Sequence, residues 1–171
     1  MDLIPQNLVE AGDHVVFTME SFVVLFWKAM PTLEGVERCN QAFHAMRLAR
    51  PKSKIGFLTV IEPESGRTNP GADFRKALSN VLKEHERAIG ASVIVFEGSG
   101  FRATIVRSIV TGVSLAQRLA FPHSVVSELE PGTRWLIDRL GDHTRLQTAE
   151  LVSALTRLRA RWAHEVVARG S

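Results

Sequence analysis

Cysteine is almost missing from this chain: Cys39 is the only one in 171 residues. A lone thiol cannot close an intramolecular disulfide, so a reducing compartment is the default expectation. Long hydrophobic runs are missing too. The longest, Phe22 to Trp27, falls far short of the ~20 apolar residues that cross a bilayer. The first residues, Met1-Asp2-Leu3-Ile4-Pro5-Gln6-Asn7, have neither a basic segment nor an apolar stretch, which reads as no signal peptide. Cytoplasmic placement is the expectation that follows. Charge of one sign is scarce: 21 Lys and Arg against 18 Asp and Glu leave a net charge of +3. A balance that small is no nucleic-acid footprint, and no nucleic-acid partner is expected. What excess there is lies late, where Arg134, Arg139, Arg145, Arg157, Arg159, Arg161 and Arg169 outnumber Asp138, Asp142, Glu150 and Glu165.

Catalytic and cofactor signatures are lacking as well. Gly98-Ser99-Gly100 is not extended to a Gly-x-Gly-x-x-Gly, because Ala103 and Thr104 stand where a third glycine would be needed. No Walker-type lysine follows it. His14, His123, His143 and His164 are scattered without ligand spacing, and Cys39 and His44 fall on different helix faces. Neither a catalytic set, a cofactor nor a metal site is expected.

What is present is apolar patterning. Hydrophobic residues make up 45% of the chain and charged ones 23%, enough for one real core. The β-branched and aromatic runs His14–Thr18 and Phe22–Trp27, parted by Met19-Glu20-Ser21, predict a hairpin. Pro31-Thr32-Leu33-Glu34 opens a helix with Leu33, Val36, Cys39, Phe43 and Met46 on one stripe, ended before Pro51. Lys54–Ile61 reads as a strand. Asn69-Pro70 then opens a helix whose stripe runs through Phe74, Ala77, Leu78, Val81, Leu82, His85, Ala88 and Ile89 to Gly90. A strand at Ala91–Phe96, the Gly98-Ser99-Gly100 turn and a helix from Phe101 to Leu119 form a β-turn-α unit. A short strand, Ser124–Val126, and a helix over Glu130–Leu140 follow. After Gly141, Thr144-Arg145-Leu146-Gln147 has the form of a capping box that opens a long last helix.

Strands alternating with helices imply parallel crossovers. The expected fold is α/β: a mixed, mainly parallel five-stranded sheet with an N-terminal β-hairpin, flanking helices and an extra C-terminal helix. Residues 1–12 read as a lead-in, 13–141 as the domain and 142–171 as an amphipathic helix.

This element order over His14–Leu140, with the fragment Glu64-Ser65-Gly66 between the third strand and the second helix, resembles the STAS or SpoIIAA-like family of anti-sigma-factor antagonists. The resemblance implies a non-enzymatic regulatory or scaffolding module that works by protein–protein contact. It also implies Ser65 as the counterpart of that family's phosphoacceptor, although Glu64 precedes Ser65 directly and Arg67-Thr68-Asn69 delays the helix.

The residues themselves leave two readings at each remaining place. Gly98, Ser99, Gly100 and Arg102 form either a small-molecule or anion site at a helix start or a tight turn capped by Ser99. Glu62, Ser65, Ser99 and Arg102 would surround a pocket at the strand ends, or be solvated loop. His85 lies on an apolar stripe, as core histidines do, and its sequence neighbours Glu84 and Glu86 point elsewhere. Leu151, Leu155, Leu158, Trp162 and Val166 make one stripe on the last helix, with Arg157, Arg159 and Arg161 off it. That stripe either packs on the domain or docks a partner, a second copy included. Adsorption to an anionic membrane is the third and least favoured use.

Overall fold

A computed structural model describes residues 5–62, 71–97 and 119–169, with backbone alone over 163–169. One six-stranded sheet runs in sequence order. Its strands are β1 (Gln6–Glu10), β2 (His14–Met19), β3 (Phe22–Trp27), β4 (Ile55–Ile61), β5 (Ile89–Phe96) and β6 (His123–Val126). The β1, β2 and β3 strands pair antiparallel, and β3 to β6 are parallel to one another. Helices α1 (Leu33–Ala49), α2 (Ala72–Glu84), α3 (Leu129–Leu140) and α4 (Thr148–Arg169) pack on it, with a 3-10 turn at Gly141–His143 before α4. The chain is α/β, as its alternation implies.

Every residue of β2 and β3 is buried, which happens when both faces of a sheet are covered. Alternate side chains go to opposite faces. Phe22, Val24 and Phe26 meet α3 and α4, whereas Val23, Leu25 and Trp27 meet α1 and α2. Thr32 caps α1 by accepting from the Gly35 N–H at 3.2 Å. Gly132 lets α3 settle close on the sheet, since a Cβ there would stand 2.7 Å from the Val126 methyl.

Three expectations change. The lead-in contains a strand: β1 pairs along β2 with a register shift between Gln6 and Val9, so the sheet has six strands and not five. Its residues are mostly exposed, as an edge strand's are, so no apolar alternation announced it. The second helix stops at Glu84, five residues before the end that the stripe implied. Ala88 and Ile89 keep the helical period by coincidence, and Ile89 instead pairs with Ile55 to begin β5. Thr144–Gln147 precedes the last helix and does not form its first turn. Glu150 supplies half a capping box there, its carboxylate accepting from the Gln147 N–H at 2.8 Å.

The last helix is no appendage. Leu151, Leu155, Leu158 and Trp162 are buried in the same cluster as Val15, Phe17, Phe22 and Phe26, and the Trp162 and Phe26 rings lie 5.2 Å apart. α3 packs mainly on β4, β5 and β6 and against α4, and the Trp162–Phe26 contact places α4 over the β2–β3 half of that face. Those four side chains of the stripe are therefore taken up by the domain's own core. Val166 lies in the helix, with its side chain outside the described residues. The expected helix over 101–119 lies, but for Leu119, outside them too. No described helix is long and apolar enough to cross a membrane.

Candidate functional site

The parallel strands define two rims. At the C-terminal rim, where open α/β sheets usually bind ligands, Glu62 follows β4 and Glu97 follows β5. Both carboxylates meet Arg159 of α4. Its Nη1 donates to Glu97 Oε1 at 3.0 Å and its Nη2 donates to Oε2. Its Nε lies 3.9 Å from Glu62 Oε1, and the guanidinium stacks 4.7 Å over Phe26. Beside it, Glu10 stands 3.6 Å from Lys28 and 3.8 Å from Arg161. The two strand-end acids are thus taken up by an arginine and do not face each other as an acid–base pair. The remaining members of the expected pocket, Ser65, Gly98, Ser99, Gly100 and Arg102, lie outside the described residues.

Between the rims, Ser92 Oγ and His123 Nδ1 are 2.6 Å apart across β5 and β6. Burial lowers the His123 pKa from its ordinary value, which favours the neutral imidazole. A serine beside a neutral histidine is the start of a nucleophile. Here, however, Ser92 is only 3% exposed, and a nucleophile has to be reached.

The N-terminal rim is richer. Glu20, held at positive φ (51°) in the β2–β3 turn, accepts from Arg50 at 2.9 Å and from Thr144 at 2.8 Å. Ser21 Oγ donates to the His143 carbonyl at 2.6 Å. Burial raises the Glu20 pKa, but the bonds from Thr144 and Arg50, with the Arg50 charge, outweigh it and hold the carboxyl below its ordinary value. This knot joins the hairpin, the end of α1 and the segment leading into α4.

Next to it opens a cleft of about 410 Å³, between the starts of β4, β5 and β6 and the end of α3. Its walls carry Lys54, Arg87, Arg139 and His143 against a single acid, Glu86. Lys54 Nζ donates to the Arg87 carbonyl at 2.6 Å, and the Lys54 N–H donates to His143 Nδ1 at 3.3 Å. Arg139 stacks 5.4 Å over Trp135. Gly90 forms part of the floor. A Cβ there would come within 2.8 Å of Lys54 and 2.9 Å of Leu140, so glycine is what lets these two approach.

No family model, curated protein or solved structure matches this chain. Its function therefore has to be read from its own residues.

Sequence reasoning placed His85 and Cys39 inside, and both are buried. Burial pushes the Cys39 thiol pKa far up, which makes it inert as a nucleophile. The basic cleft was missed. Its members come from four separated segments, and no local spacing joins them. The one available signal was the excess of arginine late in the chain, which includes Arg139.

Proposed function

We propose that the chain is a non-catalytic regulatory or scaffolding module of STAS-like architecture that holds an acidic segment of a partner protein in the cleft at the N-terminal rim. The observation that carries this reading is the gathering of Lys54, Arg87 and Arg139, with the His143 imidazole, around one cavity. Cations grouped in a concave site focus the field and favour anionic partners. The strand order supports the architecture. From β3 to β6 it runs one way without reversal, so these strands have no switch point to open a crevice at the C-terminal rim. Arg159 fills part of that rim.

A labelled oligoglutamate peptide, followed by fluorescence anisotropy at low salt, tests it. The expected result is saturable binding that weakens with added salt and falls at least about tenfold in Arg87→Glu/Arg139→Glu, as loss of more than 1.4 kcal/mol would give. Absence of saturable binding, or equal binding by the double variant, would overturn it. A second reading, a small phosphate or carboxylate ligand, is favoured by the cleft's size, since about 410 Å³ falls within the range of small-molecule pockets. A rise in Tm with inorganic phosphate or a nucleotide, without peptide binding, would put that reading in its place.

A further inference from the structure

We propose that His44, Glu84 and His85 form a site for a borderline divalent transition metal, Zn²⁺ first, clipping α1 to α2. The site is separate from the cleft and does not depend on the function proposed for it. One ligating atom from each of the three residues lies within 4.8 Å of the others. His44 Nε2 already stands 2.9 Å from Glu84 Oε1, and the two imidazole rings are 4.7 Å apart, edge to face. Two imidazoles and one carboxylate are a ligand set that zinc takes, with the remaining position left to water.

The second observation is how His85 is held. Its ring stacks on Phe43 at 4.9 Å, and its Nε2 is 2.7 Å from Asn40 Oδ1. An amide oxygen only accepts, so Nε2 carries the hydrogen and Nδ1 keeps its lone pair. A ligating histidine characteristically donates its other N–H to such a partner, which fixes both tautomer and ring.

The present neighbour of Nδ1 is Arg47 Nη1, at a long 3.3 Å. Arg47 is exposed, and a metal would take its place while the side chain moves into solvent. Ligand atoms around tetrahedral zinc stand ~3.4 Å apart, given bonds of ~2.0–2.1 Å. His44 and Glu84 are each about half exposed (50% and 47%), so rotation of these two free side chains closes the set around the fixed His85.

The experiment titrates the full chain, carrying no histidine tag, with Zn²⁺ by calorimetry and with Co²⁺ by visible absorption. Expected are saturation at one equivalent, d–d bands of a four- or five-coordinate ion, and a Tm raised by about 5–10 °C at about a hundredfold excess over Kd. Asn40→Ala should weaken binding by about 10–100-fold. His44→Ala and Glu84→Ala, whose partly exposed side chains leave the fold intact, should weaken it further. Wild-type binding that is absent, or equal in His44→Ala, would overturn the assignment.

Discussion

The two rims of the sheet handle their carboxylates in different ways. At the N-terminal rim Glu20 sits in a turn between two strands and draws bonds from Arg50 and Thr144, elements far apart in sequence. At the C-terminal rim Glu97 and Glu62 share one arginine from the last helix, with solvent beside them. A carboxylate whose partners come from several elements fixes how those elements sit. One that pairs with a single flexible side chain adds little rigidity, because the pair is screened and its side-chain entropy opposes it. The rim where open α/β sheets usually bind ligands is therefore the more loosely bonded one, and the opposite rim carries the knot, the cleft and the His44–Glu84–His85 cluster.

The largest effect expected joins both rims through α4, which runs from the knot to Arg159. Removing residues 148–171 strips Leu151, Leu155, Leu158 and Trp162 from the core and should abolish cooperative thermal unfolding, seen by circular dichroism. Trp162→Ala alone should cost about 3–5 kcal/mol in urea unfolding. A truncated chain with an undiminished Tm would show that the β2–β3 face does not need its cover.

Breaking the knot comes next. Glu20→Ala leaves Arg50 and the Thr144 hydroxyl without their acceptor and should cost about 1.5–3 kcal/mol. Because the folded Glu20 pKa is lowered from 4.5, its contribution is present above about pH 4.5 and lost as pH falls through the folded value. Wild type and Glu20→Ala should thus converge in stability under acid. Parallel curves would remove Glu20 from the account.

His85 gives a smaller effect in a different window. The unfolded chain takes up a proton near the ordinary 6.5, the folded chain only near 4. Between those values the unfolded state binds more protons, so stability falls as pH drops from about 6.5 toward 4. The expected loss is about 1–3 kcal/mol by urea unfolding with a chelator present, and His85→Gln should flatten the slope. An unchanged slope would place the titration elsewhere.

Much of this fold was legible from apolar spacing, because buried strands and helix stripes write their periods locally. β2, β3, β4 and α1 emerged from such runs. What stayed hidden was set by distant partners. The exposed β1 has no pattern until it pairs with β2. The stripe of α4 shows that one side of a helix is buried, but not that Phe26 lies beneath it. Asn40, His44 and Arg47 share one face of α1, but nothing in the sequence says that His85 meets that face, or that Lys54, Arg87 and Arg139 gather. A site assembled at a rim leaves no spacing to read.

The smallest effect is the sharpest test of the contrast between rims. Arg159→Met keeps the length of the side chain and its apolar contact with Phe26 while removing the charge. The guanidinium is about a quarter exposed (26%), so the pair it makes with Glu97 is screened. Removing one member of a partly exposed, screened ion pair costs little, although Glu97 and Glu62 are then left to repel through water. The expected change is under about 1 kcal/mol in either direction, with oligoglutamate binding at the opposite rim unaltered. A loss as large as that from Glu20→Ala would mean that Arg159 anchors the sheet as firmly as the knot does, and the two rims would then be alike.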